Sequence, residues 1–219
     1  MKLVFYIFLL SFIYSQGIIG VVVKSYGESA EYRHHNKKSF VKVTKGIPLY
    51  DDDILRTKDD GFISLIYLDD KSQIKIQKNT EVRLSGTLHM NTIMKQVMIR
   101  NGIFNANIKK QKGSQFTVVT PTSVAAVKGT EFWAVVDGRV GDRFFGIDGL
   151  VEIQNTISME TLLMSKNKTV TSLNNGKIKL TDTKKGNVPK SKYDDIEGEI
   201  RIKFKDEDGN VKTMIIKYK

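Results

Sequence analysis

Short runs of alternating apolar and polar residues, each ended by turn-forming residues about every ten positions, make up the chain from Val21 onward. No stretch keeps the period of an amphipathic helix. An alternation with a period of two is typical of strands that have one buried and one exposed face. The pattern therefore predicts an all-β domain of short antiparallel strands, arranged as solenoid-like successive rungs.

The turn residues predict where these strands are joined as hairpins. Residues 62–68 and 73–77 alternate in polarity and flank an acidic turn. Asn101-Gly102 and Asp148-Gly149 are the dipeptides that favour tight turns between antiparallel strands. We therefore expect one hairpin at each of these dipeptides.

The C-terminal part of the chain has a different pattern. Residues 181–197 are polar, contain Gly186 and Pro189, and lack a periodic apolar face, which predicts a linker after a main β domain at 18–180. Residues 198–219 alternate again and predict a C-terminal β-hairpin. Because an isolated two-stranded hairpin is marginally stable in water, we expect it to dock on the main domain or to pair with another chain.

The N-terminus resembles an export signal. Lys2 precedes an apolar run from Leu3 to Tyr14, and the small residues Ser15 and Gly17 follow. This pattern predicts a signal peptide at 1–17 that is cleaved after Gly17, with an uncleaved anchor as the alternative. The run is shorter than the roughly 20 apolar residues that span a bilayer. We expect a periplasmic or secreted protein.

Composition narrows the function classes. The chain has no cysteine, which excludes disulfides, a lipid-anchored cysteine and cysteine chemistry. Its 35 Lys and Arg residues against 24 Asp and Glu residues give a net charge of +11. In an exported protein this charge favours an anionic envelope polymer or another envelope protein over nucleic acid. We expect membrane association to be peripheral at most, and the oligomeric state is left open.

The most distinctive stretch runs from Thr120 to Trp133, TPTSVAAVKGTEFW. A proline ends one extended run, small and β-branched residues follow, and a glycine precedes a new apolar strand. Small side chains and glycine allow close backbone approach, so the stretch predicts a tightly packed corner between buried strands. We expect Lys128 and Glu131 to satisfy one another or nearby backbone, and Phe132 or Trp133 to fill the core.

This stretch supports a family resemblance. TPTSVAAVKGTEFWAVVD, followed by FFGIDGLVEIQN, resembles the signature half of the FecR domain, and GIPLYDDDILRT with GFISLIYLDDKSQIKIQKNTEV is similar to its first half. LNNGKI fits the end of the pattern, so the resemblance covers Ile18 to Leu180. Lys128 stands where the family usually has arginine, and Lys71 stands where it often has glycine. The residues that carry the signature are Thr120, Pro121, Lys128, Gly129, Thr130, Glu131 and Phe132, and we expect their role to be structural.

The resemblance implies a β-rich, solenoid-like fold in the periplasm. Founding members of the family transmit a signal from an outer-membrane transporter to a cytoplasmic sigma factor, which requires a cytoplasmic segment and a membrane span before this domain. Here the domain directly follows the predicted export signal. We therefore expect a stand-alone, exported binding or scaffolding module. A carbohydrate-recognition module that stacks sugars on Trp133 or Tyr67 is one alternative, and a periplasmic sensor in sigma-factor signalling is another.

No set of residues predicts catalysis, a cofactor or a metal site. The sequence has no recognisable set of nucleophile, general base and orienting group, so we expect no enzyme activity. A pocket that brings Glu131 together with His34 or His35 and acidic residues would change this expectation. Adjacent histidines on a strand face opposite sides, so we do not expect His34 and His35 to share an ion. His89 is distant in sequence. The acidic runs 51–53 and 206–210 offer oxygen ligands without a calcium motif.

Overall fold

The computed structural model of the protein describes residues 17–89, 92–110, 115–193, 197–205 and 208–218. The predicted signal peptide, apart from Gly17, lies outside the described residues. All regular secondary-structure elements within these residues are β-strands. No helix in the described part of the chain has the length and hydropathy of a membrane span.

The strands follow one another at short intervals along the chain. They are β1 (Gly20–Tyr26), β2 (Ala30–Arg33), β3 (Val41–Lys42), β4 (Pro48–Leu49), β5 (Ile54–Thr57), β6 (Phe62–Tyr67), β7 (Gln73–Ile76), β8 (Glu81–His89), β9 (Thr92–Ile108), β10 (Phe116–Val119), β11 (Ser123–Val127), β12 (Thr130–Asp137), β13 (Gly141–Asp148), β14 (Leu150–Asn155), β15 (Thr161–Ser165), β16 (Lys168–Leu173), β17 (Ile178–Asp182), β18 (Gly198–Lys205) and β19 (Val211–Tyr218).

The first seventeen strands form two facing sheets. Sheet A has the order β4-β1-β6-β7-β9-β12-β13-β16-β17. Sheet B has the order β3-β2-β5-β8-β9-β10-β11-β14-β15. From β10 onward the chain places two strands in sheet B and then two in sheet A, and repeats this once. These alternating rungs confirm the predicted all-β, solenoid-like class.

The predicted hairpin at Asn101-Gly102 is wrong. Strand β9 runs straight through this dipeptide: its first part, up to Asn101, pairs with β8 in sheet B, and the part from Gly102 pairs with β12 in sheet A. Gly102 has a φ of 121°, which favours glycine, and it lies against Thr80. The glycine therefore bends one strand from sheet to sheet and does not reverse the chain.

The predicted hairpin at Asp148-Gly149 is also wrong. Strand β13 pairs with β12 and β16 in sheet A, whereas β14 pairs with β11 and β15 in sheet B. Gly149, with a φ of 77°, lies where the chain leaves one sheet for the other. A Cβ atom at this position would be 2.7 Å from the carbonyl oxygen of Gly129, which marks the reverse crossing from β11 to β12. The two crossings therefore pack directly against each other.

The core fills the space between the inner faces of the two sheets. Tyr67 of sheet A meets Phe116 of sheet B edge-to-face, with ring centroids 5.9 Å apart. Phe104 and Phe132, on neighbouring strands of sheet A, make a similar contact at 5.8 Å. Such edge-to-face pairs are a preferred geometry for aromatic rings. The contact between Tyr67 and Phe116 therefore joins the two sheets across the core.

The C-terminal hairpin docks on the outer face of sheet A. Strands β18 and β19 pair with each other, and Ile200 packs in a small apolar cluster with Val21, Val23 and Ile66. Just before the hairpin, Tyr193 stacks on Tyr26, with ring centroids 4.5 Å apart. The contacts tie the end of the described chain to its first strand.

Candidate functional site

The Thr120–Ser123 corner is built around a buried carboxylate. Thr120, Thr122 and Ser123 all donate hydroxyl hydrogen bonds to Oδ2 of Asp142, and the distance from Ser123 Oγ is 2.9 Å. Asp142 lies at the start of β13 and is fully buried. Its other oxygen, Oδ1, is buried without a hydrogen-bond partner. The sequence did not indicate this residue, because Asp142 lies in a polar loop pattern about twenty positions away.

A second buried polar residue connects the same corner to two further turns. Asn155 donates from Nδ2 to Ser172 Oγ at 2.8 Å and to the carbonyl oxygen of Leu173 at 2.9 Å. Its Oδ1 accepts from the backbone N–H groups of Ile157 and Ser158 at 2.9 and 3.0 Å. Buried polar groups need such partners. Asp142 and Asn155 thus hold four turns at one end of the sandwich.

The electrostatics of this corner favour a structural role. Burial raises the pKa of Asp142 above its usual value, although the hydroxyl groups of Thr120, Thr122 and Ser123 oppose the shift. The unpartnered Oδ1 explains why desolvation dominates, because an ionised oxygen without donors is costly to bury. The four side chains are all buried, so the carboxylate is not exposed at the surface of this structure.

The signature residues Lys128 to Glu131 line an open cleft of about 540 Å³. The cleft lies between the C-terminal end of β9 and the crossing from β11 to β12. Glu131 accepts weak hydrogen bonds from Asn105 and Asn107, both at 3.4 Å. Lys128 is exposed at the rim. Lys128 and Glu131 were expected to satisfy one another or nearby backbone, and the first alternative is wrong, because side-chain amides of the neighbouring strand donate to Glu131 and Lys128 is exposed.

The aromatic residues proposed for sugar stacking are buried. Tyr67 is 0% exposed and belongs to the core, and Trp133 is 5% exposed. Phe132 points into the core, as expected for one of the adjacent pair. Sugar stacking requires an accessible ring face, so the interpretation of Tyr67 and Trp133 as ligand-contact residues is wrong for this structure. Burial also raises the pKa of Tyr67, with Asp70 and Asp69 adding to the shift.

A basic cleft lies beside the turn between β12 and β13. It has a volume of about 550 Å³, and three cationic side chains line it: Lys78, Arg100 and Arg139. Asp137 is the acidic residue of the lining. It lies 3.7 Å from the Arg139 guanidinium, whose side chain is 93% exposed. Sequence patterns carried no signal for this cleft, because its cations come from strand β9 and from two separate connections between strands.

The histidine pair does not lie on a strand, as the sequence interpretation assumed, and the expectation that it does not share an ion stays a prediction. His34 and His35 follow β2 in a turn, and His34 Nδ1 and His35 Nδ1 lie 2.5 and 3.9 Å from Oδ1 of the buried Asp53. Residues in a turn do not alternate between two faces, so the two imidazoles can face the same side. Among the described residues, these three are the group of histidine and acidic side chains that could hold a metal ion. His89 has a side chain outside the described part.

The acidic triplet does not form a calcium site. Asp51 accepts from Gly86 N at 2.8 Å, Asp52 pairs with Arg83 at 2.9 Å, and Asp53 turns towards the histidines. The three carboxylates therefore face different partners and do not converge. In the second acidic run, Asp206 and Glu207 lie outside the described residues.

Comparisons with known proteins support the resemblance in part. The profile of the family described as FecR protein matches residues 53–143, a segment that includes the Thr120–Phe132 signature and is shorter than half of the chain. None of the curated proteins matches the chain. Two crystal structures of a proposed anti-sigma factor from Parabacteroides distasonis, at 2.50 and 1.65 Å resolution, are similar with a TM-score of 0.51 and 15% identity.

The similarity to these structures concerns the fold alone. In each comparison it covers 59% of this chain and 59% of the other, so the chain matches about three fifths of the length of those proteins. The FecR profile therefore supports the family resemblance for residues 53–143, and the structures support a shared β fold.

Proposed function

We propose that this protein is a non-enzymatic, exported binding module that holds a phosphate-bearing component of the cell envelope in the basic cleft. The observation that carries the proposal is the convergence of Lys78, Arg100 and Arg139 on one cleft with Asp137. Guanidinium groups bind phosphate through paired, charge-assisted hydrogen bonds. The net charge of +11 adds long-range attraction for any polyanion.

The fold fixes the backbone positions that carry these cations, whereas their side chains are exposed. Arg100 is on β9 next to the bend at Gly102, and Arg139 is on the turn between β12 and β13. The side chain of Asn174 donates to the carbonyl oxygen of Arg139, which ties this turn to the next hairpin. The fixed backbone keeps the three cations near one another, while their exposed side chains still lose rotamer entropy when a ligand binds.

The test measures retention on a polyanion in two forms. Vesicles containing phosphatidylglycerol present the phosphate on a lipid, and phosphocellulose presents it on a polymer. We expect the wild-type protein to bind at least one of them and to elute as salt is raised, since salt screens exposed charges. Vesicles of phosphatidylcholine alone are the neutral control.

Charge reversals distinguish the cleft from net charge. The double variant Arg100→Glu/Arg139→Glu should bind several-fold more weakly than the matched variant Lys179→Glu/Lys217→Glu, which changes net charge equally at exposed positions away from the cleft. Equal weakening in both variants would show that only total charge matters and would reject the cleft. Retention that does not fall with salt would reject the electrostatic basis.

A sensor domain in sigma-factor signalling is the second candidate. It is favoured by the FecR profile match at 53–143 and by the fold shared with the proposed anti-sigma factor. This function predicts that deleting the gene changes transcription of a sigma-factor-dependent set of genes in the source organism. Unchanged transcripts would leave the binding module as the better proposal.

A further inference from the structure

The turn after β2 places two imidazoles beside one carboxylate. The backbone N–H of Lys37 donates to the carbonyl oxygen of His34 at 2.9 Å, so the chain reverses at the histidines. The rings of His34 and His35 meet edge-on with centroids 4.4 Å apart. A reversal of this kind lets neighbouring side chains face a common point, which a strand does not allow.

Asp53 is held in place before any ligand arrives. It is 0% exposed. Its Oδ1 accepts from the backbone N–H of His35 at 3.1 Å, and its Oδ2 accepts from that of Tyr50 at 3.0 Å. Backbone donors orient the carboxylate, and such supporting hydrogen bonds are typical around metal ligands. The buried carboxylate is a fixed point, whereas the two histidine side chains are 25% and 30% exposed and can adjust around it.

The donor atoms are close enough to share one ion. One ligand atom from each residue lies within 4.8 Å of the others. Atoms bound to one tetrahedral zinc ion, each about 2 Å from it, are separated by about 3.3 Å, so small side-chain rotations suffice. The hydrogen bond from His34 Nδ1 to Asp53 would be replaced by a metal bridge between the same two atoms.

We propose that His34, His35 and Asp53 form a binding site for a borderline divalent transition metal ion, with Zn²⁺ as the expected occupant. Imidazole nitrogen suits zinc and its neighbours, whereas calcium and magnesium prefer oxygen ligands alone. His34 also borders a cleft of about 350 Å³ that Tyr32, Lys37 and Tyr50 line. Three protein ligands beside an open cleft leave a coordination position for water or for a ligand atom of a partner.

Bound metal would stabilise the edge of sheet B. The ion joins the turn after β2 to the residue before β5, and a ligand that binds only the folded state raises the unfolding free energy by mass action. The effect is independent of the basic cleft, since none of the three residues lines it.

The experiment titrates the full chain, prepared without a polyhistidine tag, with ZnCl₂ by isothermal calorimetry and follows thermal unfolding with and without Zn²⁺. We expect one ion per chain and a higher melting temperature. His34→Ala and His35→Gln should each weaken binding by more than about 100-fold, since each removes a direct ligand. His89→Ala, which removes the remaining histidine, should bind as the wild type does.

Co²⁺ substitution supplies a second measurement that does not depend on stability. The wild type should show visible absorption bands of Co²⁺ in a low-coordination site, and His35→Gln, whose exposed side chain contributes little packing, should fold and lose them. Absence of Zn²⁺ binding by the wild type would overturn the proposal. Binding of equal strength in a folded His34→Ala/His35→Gln variant would also overturn it and would leave His34 and Asp53 as a structural hydrogen bond.

Discussion

Thr80 lies directly against Gly102, so that a Cβ atom at position 102 would be 2.6 Å from the Cα atom of Thr80. The hydroxyl of Thr80 also accepts a hydrogen bond from the backbone N–H of Ile103 at 2.9 Å. The contact fixes the point where β9 passes from sheet B to sheet A. It follows that both sheets depend on a residue without a side chain at this position.

Gly102→Ala should therefore destabilise the protein strongly. The substitution combines a clash with backbone and a φ of 121° that L residues rarely adopt, and we expect a loss of about 3 kcal/mol in the free energy of unfolding, measured by urea denaturation. Gly46→Ala is the control, because Gly46 has a φ of 92° but a Cβ atom added there would have no neighbour within 4 Å. It should cost about 1 kcal/mol. Equal losses would show that the contact with Thr80 is unimportant.

Asp142 should make stability depend on pH in a defined direction. Its pKa is raised in the folded state, so the folded protein binds this proton more strongly than the unfolded chain does. Its contribution to stability is full below the unfolded pKa and is lost as pH rises through the folded pKa. Asp142→Asn removes this titration and keeps an acceptor oxygen for the three hydroxyl groups. Urea denaturation should show that the free energy of unfolding of Asp142→Asn rises, relative to that of the wild type, from acid to neutral pH.

The matched variant Asp142→Ala tests the hydrogen bonds separately. It leaves the hydroxyl groups of Thr120, Thr122 and Ser123 without their shared acceptor, at a cost of about 2–4 kcal/mol. At every pH the alanine variant should be less stable than the asparagine variant. A pH-independent difference between wild type and Asp142→Asn would contradict the raised pKa.

Lys95 holds two carboxylates at the end of β6. Its Nζ lies 2.8 Å from Asp69 and 2.5 Å from Asp70, and its side chain is only 1% exposed. Removing one partner of a buried ion pair leaves uncompensated charge, so Lys95→Met should cost about 3–5 kcal/mol in urea denaturation. The exposed pair of Lys168 and Asp182 provides the control, and Lys168→Met should change stability little. Similar effects of the two substitutions would count against burial as the cause.

Ile200 should determine whether the C-terminal hairpin stays docked. It is 7% exposed and packs with Val21, Val23 and Ile66, so an aspartate at this position would place an unpaired charge in an apolar cluster. Ile200→Asp should make the segment before β18 more sensitive to limited proteolysis. Ile215→Asp, at a position that is 47% exposed, should not. Equal protection of both variants would show that the hairpin is held by other contacts.

Pattern reasoning identified the individual strands well where the alternation of polarity was clear. The strands predicted at 62–68 and 73–77 are observed as the paired strands β6 (Phe62–Tyr67) and β7 (Gln73–Ile76). The all-β class is confirmed, because period-two alternation depends only on which face of each strand is buried. The small residues from Val124 to Val127 were expected to form a corner, and they belong to strand β11.

Two further features could not be found from the sequence because they depend on contacts between distant residues. The histidine pair meets Asp53 only because the turn after β2 lies beside the start of β5, eighteen or more positions away. The basic cleft collects cations from strand β9 and from two separate connections between strands. Neither arrangement has a sequence spacing that a local pattern can reveal.

The sequence by itself determined the class of the fold and its basic charge, since these follow from local alternation and composition. Only the tertiary structure decided that the chain crosses from one sheet to the other at Gly102 and Gly149 and does not reverse in a hairpin. A glycine with positive φ can close a hairpin or carry a strand across to a facing sheet, and the local backbone geometry is compatible with both. The packing of Thr80 against Gly102, and of Gly129 against Gly149, selects the crossing.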